Sequence, residues 1–139
     1  MSDVQASLLK GPVNTGTQVG SSVQLKCMFS HKSCENMSWS RVDQTGSPTV
    51  LYAGSSMSFS YGGRYNVSVS AHGECILIIS VVELSDAGTF TCSELNPEAD
   101  QQSKHTATLT VVGMFVVCCQ SCAIYCITCH STSYSVNRW

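Results

Sequence analysis

The sequence predicts an all-β domain of short strands, a sandwich or a barrel, followed by an apolar tail. Three observations point there: side chains alternate with period two, turn-forming residues interrupt them at short intervals, and no 3.6-residue helical period is present. Val23, Leu25 and Cys27 alternate with Ser22, Gln24 and Lys26, as in a strand with one buried face. Tyr65, Val67 and Val69 alternate with Asn66, Ser68 and Ser70, and Ala107, Leu109 and Val111 with Thr106, Thr108 and Thr110. Turn signals fall between these runs at Gly20-Ser21-Ser22, Asp43 to Pro48, Gly62-Gly63, His72-Gly73, Ser85 to Gly88 and Asn96-Pro97.

Composition sets the outer limits. A chain of 139 residues holds one ordinary domain and a tail. Only 12% of residues are charged, about half the usual share. A net charge of -2 with no basic run leaves no electrostatic footprint for nucleic acid. Cys27, Cys34, Cys75 and Cys92 are spread over the first part, whereas Cys118, Cys119, Cys122, Cys126 and Cys129 crowd the end. The chain therefore divides near Gly113 into a domain, 1–112, and a Cys-rich tail, 113–139. Met1 to Gln5 lacks the basic and long apolar regions of a secretory signal. Either a signal lies outside this chain or the protein stays in the cell, and the cysteine pattern argues for the first.

Three features narrow the architecture. Trp39 follows Cys27 by twelve positions, Cys92 lies 65 beyond Cys27, and Leu84-Ser85-Asp86-Ala87-Gly88-Thr89-Phe90-Thr91-Cys92 leads into that last cysteine. The combination resembles the immunoglobulin V-set domain of cell-surface receptors and adhesion molecules. The resemblance implies a two-sheet Greek-key β-sandwich over about residues 3–112, with Cys27 bonded to Cys92 and Trp39 packed on the bridge. It also implies an ion pair between Arg64 and Asp86, 22 residues apart, closing the bottom of the sandwich. Phe90 stands where the family usually carries tyrosine, so its ring can fill the core while the hydroxyl hydrogen bond of a tyrosine corner is lost. A bridge closing so long a loop contributes roughly 4 kcal/mol. It persists only in oxidising compartments, which places the domain outside the cell or on its surface.

Along the same pattern, Val82, Ile79, Leu77 and Cys75 point inward, and Cys34 lies in the loop after the first core cysteine's strand. A Cys34–Cys75 bridge is expected, with two buried thiols acting as small hydrophobes as the alternative. Such a bridge stiffens the first of three loops, near 31–36, 53–58 and 95–103, that V domains use for recognition. The outward set Ser38, Ser40, Val42, Thr91, Ser93, Leu95, Thr106, Thr108 and Thr110 is mostly hydroxyl. Without aromatic anchors, self-association through it is expected to be weak. On the opposite sheet Met28, Ile76 and Ile78 are expected to form a small exposed apolar patch for a partner. Glu98 and Asp100 on the third loop suit a basic partner. Asn36-Met37-Ser38 and Asn66-Val67-Ser68 are N-glycosylation sequons on outward positions.

No nucleophile elbow, phosphate loop or spaced carboxylate pair is present, so neither a catalytic residue, a cofactor nor a metal site is expected in the domain. The tail reads Met114-Phe115-Val116-Val117-Cys118-Cys119 onward, with no formal charge before Arg138. Residues 113–129 form a candidate membrane segment at the short edge of what a span requires. The paired Cys119-x2-Cys122 and Cys126-x2-Cys129 lie too close together for the usual zinc modules. Disulfides to another chain and an altered C-terminus are the remaining alternatives. The reading that results is non-enzymatic recognition of a protein ligand or counter-receptor by one V-set domain at a cell surface. Its alternative is a soluble secreted module, or a truncated splice product, whose tail has no membrane role.

Overall fold

Alternating side chains bury one face of each strand, and two such faces must cover one another. The computed structural model describes residues 8–30, 33–95, 104–118 and 125–130. A four-stranded sheet has the order β1-β3-β8-β7, formed by β1 (Leu8–Lys10), β3 (Val23–Phe29), β8 (Cys75–Ile79) and β7 (Tyr65–Val69). A larger sheet has the order β11-β10-β9-β4-β5-β6. Its strands are β4 (Met37–Asp43), β5 (Pro48–Ala53), β6 (Ser56–Met57), β9 (Gly88–Glu94), β10 (Lys104–Cys118) and β11 (Tyr125–His130). β2 (Thr15–Gln18) joins that sheet by running parallel to β10, from Leu109↔Thr15 to Val112↔Gln18. The first segment of the chain thus begins on one sheet with β1 and crosses to the other with β2, adding a strand to each.

The core lies between the sheets and follows the alternation read from the sequence. Val23, Leu25, Cys27 and Phe29 of β3 are buried, as are Cys75, Leu77 and Ile79 of β8 and the following Val82. Facing them are Met37 and Trp39 of β4, Phe90 and Cys92 of β9, and Ala107, Leu109 and Val111 of β10. One run breaks the rule. Burial along Val50-Leu51-Tyr52 does not alternate, because the β4–β5 register shifts between Trp39↔Tyr52 and Ser40↔Val50. The extra residue of that irregularity is Leu51, so Leu51 and Tyr52 are both buried while Val50 is exposed.

β4 and β9 remain paired as far as Asp43↔Gly88. Gly88 has φ 154°, and a Cβ there would lie 2.5 Å from the Val42 carbonyl oxygen. Backbone cannot yield as a side chain would. Gly88→Ala is expected to cost about 2 kcal/mol or more, read as a lower urea midpoint. An unchanged midpoint would contradict the close approach.

The tail continues the large sheet. β10 runs past Gly113, where the sequence places a boundary, to Cys118, and β11 returns antiparallel from Cys118↔Tyr125 to Gly113↔His130. Among the described residues no helix is long and apolar enough to cross a membrane.

Candidate functional site

At one end of the sandwich the feet of the three predicted recognition loops meet. Cys34 opens a 3-10 turn, Cys34–Asn36, that carries the chain from the first loop into β4. It is bonded to Cys75 at a Cα–Cα distance of 5.1 Å. Cys27 is bonded to Cys92, Cα–Cα 6.5 Å, across the two sheets. Cys27 and Cys75 are also direct neighbours in the β3–β8 register. The two bridges therefore stand side by side, one through the core and one up into the first loop. Trp39 is wholly buried beside them in the same core.

The second loop is tied to this end by Tyr52 and Gly54. The buried Tyr52 hydroxyl donates to the Gly54 carbonyl at 2.5 Å, and the Cys34 carbonyl lies 3.4 Å away. Burial, with the nearby Glu35 carboxylate, raises the Tyr52 pKa, so the hydroxyl stays protonated as a donor. Gly54, at φ +74°, takes a turn in which a Cβ would crowd Leu95 at 3.2 Å and the Glu35 carbonyl at 3.3 Å. Its N–H donates to the Met37 carbonyl at 3.0 Å, and the Leu95 N–H to that of Asn36 at 2.7 Å. Glu94, on the inward parity of Cys92, is buried at the same end. This end is rigid at its base. Glu98 and Asp100, named as third-loop contacts, lie outside the described residues.

The opposite end carries a charge network. Arg64 reaches Asp86 through both terminal nitrogens, Nη1 to Oδ2 at 2.6 Å and Nη2 to Oδ1 at 3.1 Å. Asp86 is wholly buried, and also accepts from the Tyr65 hydroxyl at 2.6 Å and the Glu83 N–H at 2.7 Å. Burial alone would raise the Asp86 pKa. Arg64, Tyr65 and the Glu83 N–H outweigh it and hold the carboxyl below its ordinary range.

Arg41 and Tyr65 complete this network. Arg41 is 3% exposed, and its Nη2 donates to the carbonyls of Ser85 at 2.7 Å and Ala87 at 3.2 Å. Its guanidinium lies 5.3 Å from the Tyr61 ring centroid and 5.5 Å from that of Phe90. A tyrosine at position 90 would send its hydroxyl back to this corner; here Arg41, packed on Phe90, satisfies those carbonyls instead. Arg41→Met is expected to cost about 2–3 kcal/mol, of which Phe90→Tyr in the same chain restores about 1 kcal/mol. A double-mutant cycle by urea unfolding measures this, and zero coupling would contradict the replacement.

The two outer faces differ from one another. On the large sheet Thr106, Thr108 and Thr110 are exposed, Ser38, Ser40, Thr91 and Ser93 half-buried, and the Ser38 and Ser93 hydroxyls lie 2.9 Å apart. Val42, Val50 and Leu95 are its exposed apolar side chains. On the small sheet the expected patch is narrower than read from sequence. Ile76 is 8% exposed, because it sits mid-sheet with Lys26 and Ser68 as its cross-strand neighbours; Met28 and Ile78 are half-buried. Asn36 and Asn66 are both exposed.

Among known families, the immunoglobulin V-set domain matches residues 10–112. No curated protein matches the chain. Among solved structures, the chain is similar to the crystal structure of the RIG-5 IG1 homodimer. The TM-score is 0.65 at 17% identity, over 78% of this chain and 98% of that one.

Proposed function

The chain belongs to the immunoglobulin V-set domain family, and from that membership we propose that it recognises a protein ligand or counter-receptor as an immune-type cell-surface receptor or adhesion domain. Domains of this family recognise proteins in general and are not an enzyme family; they act typically at cell surfaces or outside cells. The observation that carries the reading is the end where the feet of three loops meet. The Cys34–Cys75 bridge, the Tyr52 hydroxyl and the Gly54 turn fix the loop feet before any partner arrives. A partner then meets a surface whose ordering has already been met by folding, which favours affinity.

The contact surface proposed is that end, including Glu98 and Asp100, which suit a basic partner, with Met28 and Ile78 as a lesser apolar contact. RIG-5 IG1 forms a homodimer in its crystal structure, which raises self-association for this chain too. The hydroxyl-rich outer face offers few anchors for it, so such pairing is expected to be weak.

The test is binding of the multimerised full chain, expressed behind a secretory signal, to intact cells. Saturable staining that unlabelled chain competes, that protease treatment of the cells removes, and that Glu98→Lys with Asp100→Lys reduces supports the reading. Staining indifferent to all three overturns it. The abrupt composition change after Val112 favours a second reading, a secreted or truncated form whose tail does not meet a membrane. Carbonate extraction of the full chain, compared with a chain ending at Val112, separates the two: a full chain released as freely as the shorter one has no anchor in residues 113–129.

A further inference from the structure

Free strand edges template unwanted pairing, and proteins blunt them by shortness, charge, proline, bulges or a cover. Among the described residues the sandwich handles its edges unequally. β1 has three residues, ends in Lys10 and carries a register irregularity against β3. β6 has two residues. β7, at the other flank of the small sheet, has five residues, Tyr65-Asn66-Val67-Ser68-Val69, without charge or proline.

Which groups β7 offers at its free side follows from its ends. The Arg64 carbonyl accepts from the Ser80 N–H at 2.9 Å, on the side of β8, whereas the Tyr65 N–H donates to the Ser60 carbonyl at 2.9 Å, away from β8. Backbone groups alternate sides along a strand, so those of Val67 and Val69 face the free edge. The Asn66 side chain lies along that edge: its Oδ1 accepts the Val67 N–H at 2.9 Å. No hydrogen bond from Asn66 Nδ2 is found among the described residues, and the residue is exposed. Val69 beside it is 60% exposed.

We propose that Asn66 carries an N-linked glycan whose role in the fold is to cover the β7 edge and prevent edge-to-edge pairing of two copies. The inference rests on the extracytosolic reading above, since the modification needs the secretory pathway. The glycosyl donor is a lipid-diphosphate-linked oligosaccharide. A bond forms between Asn66 Nδ2 and the sugar's anomeric carbon, the anomeric C–O bond to the diphosphate breaks, the lipid diphosphate leaves, and the amide nitrogen gives up one proton. The retained Oδ1 continues to accept from Val67, which holds the first sugar over the edge. Asn36 differs in place: it lies in the turn after Cys34, at no strand edge of the small sheet.

The full chain behind a secretory signal peptide tests this, as wild type, Asn36→Gln, Asn66→Gln and Ser68→Ala. Ser68→Ala removes the sequon while leaving the Asn66 cap on Val67. Peptide N-glycosidase treatment with mass mapping is expected to find Asn66 occupied in the secreted wild type and Asn36→Gln, and to find that glycan lost in the other two. Light scattering is expected to show Ser68→Ala moving from monomer toward dimer with rising concentration relative to wild type. Adding Val69→Lys, a charge on the edge, is expected to return it to monomer. An unmodified Asn66 in secreted, disulfide-bonded chain overturns the proposal, as does a Ser68→Ala chain that associates no more than wild type. Because the added signal peptide forces entry to the pathway, either failure leaves the reading of the native location to its own test.

Discussion

Replacing Asp86 with alanine is expected to remove about 3–5 kcal/mol of folding stability, the cost of breaking a buried ion pair by deleting one partner. Two Arg64 nitrogens, the Tyr65 hydroxyl and the Glu83 N–H all converge on this carboxylate. Without it the Arg64 charge, whose side chain is only 18% exposed, and the buried Tyr65 hydroxyl lose their acceptor together. Arg41, also near Tyr65, then adds uncompensated positive charge at the same end. Asp86→Asn, which keeps the shape and one acceptor oxygen, is expected to lose less. Urea unfolding at neutral pH reads both, and an Asp86→Ala loss below about 1 kcal/mol would place it among ordinary exposed pairs.

The same carboxylate gives a pH dependence of defined sign. Its folded pKa is depressed, so the folded state binds fewer protons than the unfolded chain across the acid range. Its contribution is fully present above the unfolded pKa and is lost as pH falls through the folded one. Tyr65 works at the other extreme: burial, then its bond to Asp86, raises its pKa. That contribution is present below the unfolded tyrosine value and is lost as pH rises toward the folded one. Stability is therefore expected to fall at both ends. Asp86→Asn flattens the acid side and Tyr65→Phe the alkaline side. Identical profiles for wild type and variants would contradict the network.

The second large effect is expected from Cys27→Ala with Cys92→Ala, which opens a loop of 65 residues and costs roughly 4 kcal/mol on the chain-entropy estimate. The double variant is the informative one. Cys27 stands beside Cys75 in the sheet register, so Cys92→Ala alone leaves the buried Cys27 thiol next to the other disulfide, open to exchange into a new bridge. In the double variant the Cys34–Cys75 bridge survives at one end, while the centre of the sandwich is held by packing without a covalent link. A melting temperature unchanged from wild type would show that the sandwich does not depend on this bridge.

Much of this was legible because a sandwich writes itself into sequence with period two. Leu25, Leu77, Ile79 and Leu109 are buried where alternation put them, and the spacing of Cys27, Trp39 and Cys92 carried the architecture. The residues missed are those where local pattern and burial disagree. Arg41 shares the inward parity of Trp39, and an arginine there was a signal of a buried cation, but charge argues for the surface until its partners are seen. Leu51 is buried through a register irregularity that no local pattern announces. Ile76 has outward parity and is still enclosed, because parity names a face and says nothing of how wide the neighbours on that face are. The candidate site depended on three loop feet meeting through backbone hydrogen bonds such as Leu95 to Asn36, and such contacts carry no side-chain signature.

A recognition domain of this kind working in an oxidising compartment is expected to carry all four domain cysteines in disulfides. Peptide mass mapping under non-reducing conditions, on protein alkylated as it is isolated from its own source, tests it most directly. The expected result is Cys27 linked to Cys92 and Cys34 to Cys75. Alkylated, unpaired thiols at those four positions would contradict both the closure of the sandwich and the place where it works.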